Sequence, residues 1–187
     1  MALNQAWRAC VIICTLLASC GDSGKIDRPN GPGAEWTSFG GGPGGGHYSP
    51  ANEITPVNVH ALKVAWVHRS GDVRGPPAVG AGAINGPLQQ TGFGATPIVS
   101  GDTLYYCTPY NRVFALDAAT GKERWVFDPH VDMSQENAPA CRGVSLWMGA
   151  DVQEKCGKRI FTGTLDARLI ALDAQSGGAC LDFGQNG

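Results

Sequence analysis

The sequence has little charge and no concentration of it. Charged residues make up 16% of the 187, and the formal net charge is −2. No basic cluster stands out, which argues against a nucleic-acid partner. No apolar run reaches the roughly 20 residues that a bilayer-spanning helix needs. No Cys-x-x-Cys occurs, and His47, His60, His68 and His130 form no paired spacing, so the usual zinc patterns are excluded. The glycine-rich residues 40–46 lack Gly-Lys-Ser/Thr and a strand–helix setting, which excludes a phosphate-binding loop. What the chain does have is turn formers and strand formers. It carries 27 glycines and 12 prolines, with 43% hydrophobic residues. That mixture suits short strands joined by tight turns rather than a helical bundle or a disordered chain. The length is enough for one ordinary domain.

Residues 1–20 read as a targeting segment. Arg8 is the only charged side chain before Asp22, and residues 9–18 are mostly apolar. A short basic region before an apolar stretch of this length is a signal-peptide pattern. The stretch closes on Leu17-Ala18-Ser19-Cys20-Gly21, a lipobox-like string in which Cys20 is the expected lipidation site. An ordinary secretory signal with a chance cysteine is the alternative. Residues 21–34 are polar and rich in Gly and Pro, and read as a flexible tether. The expected location is therefore the bacterial periplasm, membrane-anchored through lipid. Export exposes Cys107, Cys141, Cys156 and Cys180 to an oxidising compartment. Four cysteines allow three pairings, and the spacing does not choose among them.

Residues 101–125 align without gaps on residues 157–181, an offset of 56. The shared positions include Gly101/Gly157, Thr108/Thr164, Arg112/Arg168, Ala115/Ala171, Leu116/Leu172, Asp117/Asp173 and Gly121/Gly177. Each copy reads as an apolar strand, a polar turn, a second strand and a closing Asp…Gly turn. There the Asp carboxylate caps and the Gly accepts a positive φ. Trp125 lies on the strand that leaves the first copy, where a large aromatic can pack one sheet on the next. An earlier strand with a tryptophan is expected at residues 62–67. The fold class read from this pattern is all-β: a partial β-propeller of about two blades plus a leading strand. Two blades leave open edges and faces, so the chain is expected to be a fragment or a truncated product.

The Ala-Leu-Asp-x-x-Thr/Ser-Gly repeat resembles the tryptophan-docking motif of quinoprotein dehydrogenases. Further stretches resemble the same family. They are Trp36-Thr37-Ser38-Phe39-Gly40-Gly41 running to His47-Tyr48-Ser49-Pro50, then Ile54-Thr55-Pro56, Ala95-Thr96-Pro97-Ile98-Val99 and Cys141-Arg142-Gly143-Val144-Ser145. The likeness covers about residues 35–187 and is nearest the membrane-associated glucose and quinate dehydrogenase branch. It implies an eight-bladed propeller holding pyrroloquinoline quinone (PQQ) and a calcium ion on its axis. It implies an aspartate base and oxidation of an alcohol, polyol or sugar, with electrons passing to a quinone or cytochrome. It also implies that the catalytic aspartate and most calcium ligands lie in blades beyond Gly187, so no catalytic or metal residue is assigned here.

The family's Arg-Gly position falls on Arg142, whose planar guanidinium can pair with a carboxylate or quinone oxygens. A structural arginine holding a long loop is the competing account. Cys141 precedes it and is expected to brace the loop in a disulfide, with Cys156 as the suggested partner. Thr96 and Thr108, near strand ends, are further candidate cofactor contacts; turn or strand hydroxyls facing water are an equal account. Two positions depart from the pattern. Gly94 stands where relatives carry a Glu or Gln that reaches PQQ. Ala138 stands where related enzymes often place a histidine. A non-catalytic propeller lipoprotein, acting as an outer-membrane assembly scaffold, is the alternative function.

Overall fold

The computed structural model describes residues 35–42, 44–72, 91–132 and 139–187. The targeting segment with Cys20, the tether and Ala138 lie outside them.

Among the described residues, nine strands follow short 3₁₀ turns at Phe39–Gly41 and Val59–Ala61. The strands are β1 (Gly92–Thr96), β2 (Ile98–Ser100), β3 (Thr103–Cys107), β4 (Val113–Asp117), β5 (Glu123–Phe127), β6 (Ala140–Gly143), β7 (Ser145–Met148), β8 (Lys158–Gly163) and β9 (Leu169–Asp173). They form a four-stranded sheet β2-β3-β4-β5, a three-stranded sheet β7-β8-β9 and a parallel pair β1-β6. Neighbours within the two larger sheets are antiparallel. An isolated bridge from Leu172 to Ala179 begins a fourth position in the second sheet.

The repeat is a structural repeat. Asp117 Oδ1 accepts the Thr120 N–H at 2.9 Å and its hydroxyl at 2.7 Å. Asp173 Oδ1 does the same for Ser176, at 2.8 and 2.7 Å. Gly121 (φ 69°) and Gly177 (φ 72°) close these turns in the left-handed region, where glycine carries no steric penalty.

Period-two alternation on β3 and β4 builds two cores. Tyr105, Cys107, Val113 and Ala115 turn toward the second sheet. There they meet Ile160, Ile170, Leu172 and Ala174 in one buried cluster. Tyr106, Phe114 and Leu116 turn the other way, against Trp66 and Leu104.

Tryptophans join the successive units. Trp125 Nε1 donates to Ala174 O at 3.1 Å. Trp66 Nε1 donates to the equivalent Ala118 O at 3.2 Å. The equivalence continues past the indoles. Arg112 Nη2 donates to Ser70 O, as Arg168 Nη2 does to Pro129 O. Gly71 (φ 84°) and His130 (φ 51°) both follow with positive φ. Residues 66–71 therefore stand to the first sheet as residues 125–130 stand to the second. The sequence pattern predicts a strand over residues 62–67, and here the structure differs. The segment has no sheet pairing among the described residues, since a strand needs a ladder partner and only its tryptophan finds a dock.

Candidate functional site

β1 and β6 approach the two sheets side by side. β1 leads through Pro97 into β2, and β6 leads through the buried Val144 into β7. Proline has no N–H to donate, so it separates β1 from β2. Their register pairs Gly92 with Ala140, Phe93 with Cys141 and Thr96 with Gly143, with an irregularity between Phe93 and Thr96. Two residues, Gly94 and Ala95, thus oppose the single Arg142. Such a bulge bends the strand and re-aims side chains.

The strand's alternation sends Cys141 inward and Arg142 outward. Arg142 is exposed, and among the described residues no hydrogen bond or ion pair reaches its guanidinium. Its Nη1 lies 3.6 Å from where a Cβ of Gly94 would sit, and among the described residues nothing else approaches that point within 4 Å. Thr96, partly buried, ends the opposing strand, and its carbonyl oxygen lies against Gly143. The structure therefore brings the Arg142 guanidinium over the bare backbone of Gly94, while Thr96 pairs with Gly143 and not with Arg142.

Thr108 has a different setting. It is fully buried at the β3–β4 turn, where its hydroxyl accepts the Arg112 N–H at 3.2 Å. Thr164 accepts the Arg168 N–H at the same distance in the second copy. A bond repeated in both copies belongs to the turn, which accounts for Thr108 without a ligand.

The expected Cys141–Cys156 bridge is corrected. Cys107 bonds Cys141, with Cα atoms 5.9 Å apart, and Cys156 bonds Cys180, with Cα atoms 5.8 Å apart. Cys156 lies before β8, beside the chain leaving β9. Its N–H donates to Asp173 Oδ2 at 2.7 Å, which puts its thiol next to Cys180. Cys141 instead faces the end of β3. Asp182 is close to the second pair, but both sulfurs are spent in the disulfide, so this is not a ligand set.

Sequence reasoning missed a second feature. Between residues 66–71 and the first sheet lies an open, mostly apolar cavity of about 580 Å³, bordered by Trp66, His68, Phe93, Leu104 and Tyr106. Tyr106 Oη and His68 Nδ1 are 2.6 Å apart there. Burial pushes the Tyr106 hydroxyl up to about 12. Arg112, paired with the buried Asp72 at 2.5 Å, fixes the end of the same segment. No local spacing relates His68 to Tyr106; only the tryptophan equivalence hinted that these segments meet.

Successive antiparallel sheets, each receiving a tryptophan from the chain segment before it, define a propeller-type fold. Arg142, exposed on β6 opposite the bulge in β1, is uncommitted among the described residues. The chain belongs to the PQQ-dependent dehydrogenase family: residues 36–187 match the family described as "PQQ: Glucose/ethanol/alcohol dehydrogenase, beta-propeller domain". It is 40% identical over 160 residues to the quinoprotein glucose dehydrogenase of Escherichia coli, covering 82% of this chain and 19% of that protein. It is 39% identical over 158 residues to the glycerol dehydrogenase large subunit of Gluconobacter thailandicus, covering 82% and 20%. Among solved structures, the quinohemoprotein alcohol dehydrogenase of Comamonas testosteroni superposes with a TM-score of 0.61 at 28% identity. That match covers 78% of this chain and 18% of that one. The chain thus spans about one fifth of the length of the curated relatives it matches.

Proposed function

We propose that this chain is the N-terminal part of an exported PQQ-dependent dehydrogenase that oxidises an alcohol, polyol or sugar of the glucose or quinate type. The observation that carries the reading is Arg142: exposed, unpaired among the described residues, and held opposite a bulge at Gly94 where no side chain intervenes. PQQ is a flat, anionic quinone, and when bound it supplies the two-electron acceptor for the substrate's carbinol. The residues present fit such a group. The Arg142 guanidinium offers paired donors and a charge that desolvation does not remove. Gly94 lets a planar ring approach the backbone, and Thr96, at the end of the opposing strand, is the second polar contact in this reading. Thr108 is left to its turn.

In this reading the two sheets and the leading segment belong to an eight-bladed ring. Blades encoded beyond Gly187 contribute the catalytic aspartate and most of the calcium ligands. Residues 1–20 direct export, Cys20 carries the lipid and residues 21–34 tether the propeller to the periplasmic face of a membrane. Electrons leave to a quinone or cytochrome. The 187 residues alone are inactive. The dehydrogenase relatives lend the scaffold alternative no support.

The test is a spectroscopic titration of the full encoded protein with PQQ and calcium, with Arg142→Ala alongside. Saturable binding that Arg142→Ala weakens at least about tenfold, the loss of a charge-assisted bidentate contact, is the expected result. Absence of PQQ binding, or a gene that ends at Gly187, overturns it.

A further inference from the structure

We infer that the Cys107–Cys141 disulfide is a positioning device for Arg142, not only a staple of the fold. This rests on the reading of Arg142 as a cofactor contact. Four observations converge on it. First, among the described residues β6 has a single ladder partner, β1, and that pair is parallel and only two strands wide. Narrow ribbons are marginal on their own, and parallel pairing is the weaker kind. Second, the ladder is interrupted at the level of Arg142, where Gly94 and Ala95 bulge. The backbone bonding that would otherwise fix residue 142 is therefore weakest there.

Third, the covalent tie falls one residue away. Cys141 is buried in the core between the sheets and bonded to Cys107, itself fully buried at the end of β3. β3 is a central strand, laddered to β2 on one side and β4 on the other. The disulfide thus anchors a thin ribbon to the rigid interior of the first sheet. Fourth, alternation on β6 makes the anchored inward residue and the exposed arginine adjacent. Fixing the backbone at 141 fixes the direction in which residue 142 leaves the strand.

The Cys156–Cys180 disulfide provides an internal comparison. It closes a loop of similar span, 24 residues against 34. Yet it joins the loop before β8 to the turn after β9, near Ala171 and Phe161. A purely structural role treats the two bridges alike; a positioning role separates them.

The experiment compares Cys107→Ala/Cys141→Ala with Cys156→Ala/Cys180→Ala in the full encoded protein. Cys107→Ala/Cys141→Val is held in reserve to refill the core should the first pair fail to fold. One arm follows hydrogen exchange of residues 92–96 and 140–143 without ligand. The other titrates PQQ, in wild-type and Arg142→Ala backgrounds. Loss of the Cys107–Cys141 bridge is expected to speed exchange at 140–143 and to weaken PQQ binding by roughly tenfold. That loss should disappear once Arg142 is already gone, as coupled sites require. The Cys156–Cys180 variant should show neither effect. Unchanged exchange at 140–143 overturns the inference, and so does an equal PQQ loss in the Arg142→Ala background. A wild-type protein that binds no PQQ fails the functional reading and removes the ligand half. Exchange then decides separately whether the bridge holds the strand.

Discussion

The indole of Trp125 fills the space that a side chain at Gly177 would need. A Cβ at Gly177 would meet Trp125 Cδ2 at 2.7 Å, and the position holds a φ of 72°. Trp66 stands in the same relation to Gly121, at 2.5 Å with a φ of 69°. The glycine of each repeat therefore has two reasons to be glycine, one conformational and one steric.

Those two reasons can be separated. Gly177→Ala is expected to destabilise the protein by about 2–4 kcal/mol, combining overpacking with the left-handed backbone penalty. Gly101→Ala is the control. Gly101 also has a positive φ, 60°, but among the described residues nothing lies within 4 Å of its Cβ position. It should cost only the conformational part, about 1–2 kcal/mol. Urea unfolding of both variants reads the difference. Equal losses would mean that the indole yields freely and the dock is loose.

The two disulfides should contribute comparably to stability. Loop-closure entropy grows only with the logarithm of loop length. Spans of 34 and 24 residues therefore predict about 3–4 kcal/mol each. Denaturation of the paired alanine variants under non-reducing conditions tests this. A gap of more than about 1 kcal/mol between the pairs would require a native-state contribution beyond chain entropy.

Acid should loosen the first repeat through its carboxylates. Arg124 Nη2 bridges Asp102 at 2.7 Å and Asp117 at 2.8 Å. The hydrogen bond from Arg124, helped by Thr120, holds the Asp117 carboxyl down at about 2, from an ordinary 3.8. Asp102 is lowered by the same arginine and by Thr103. Because the folded state takes up these protons later than the unfolded state, their contribution is complete above 3.8. It is lost as the pH falls toward about 2. The melting temperature should decline across that window, and Asp117→Asn should flatten the decline. An identical slope in the variant would show that the bridge contributes nothing to folding. Asp102 is exposed and Asp117 only partly covered, so solvent screening makes a small effect the expectation.

Features encoded by neighbouring residues were legible in the sequence. The Asp117…Gly121 and Asp173…Gly177 turns, strands β3, β4 and β9, and the Trp125 dock all follow from local pattern repeated at an offset of 56. The β1–β6 ribbon was not legible as paired strands. Gly92-Phe93-Gly94-Ala95-Thr96 and Ala140-Cys141-Arg142-Gly143 show no alternation, and their partnership joins distant segments. Cysteine pairing failed for the same reason. Cys141 is closer in sequence to Cys156 than to Cys107. Nevertheless the path of the chain between sheets sets its partner, and that path is a tertiary property. Arg142 was reached through family likeness; the bulge opposite it came only from the register.

Position 94 offers the sharpest test of why Arg142 matters. Gly94 does not occupy a left-handed conformation, and among the described residues a Cβ there would touch only Arg142 Nη1, at 3.6 Å. A side chain is therefore accommodated, and its charge is the variable. Gly94→Glu would place a carboxylate within reach of the guanidinium, forming an ion pair that occupies its donors and cancels its charge. Gly94→Gln is nearly isosteric and leaves the charge intact. If Arg142 receives an anionic cofactor by charge, Gly94→Glu should bind PQQ roughly tenfold more weakly than Gly94→Gln at low ionic strength. Added salt should narrow the gap, because exposed charges are screened. Titration of both variants over a range of salt decides it. Matching affinities at every ionic strength would show that the charge of Arg142 is not what draws the cofactor.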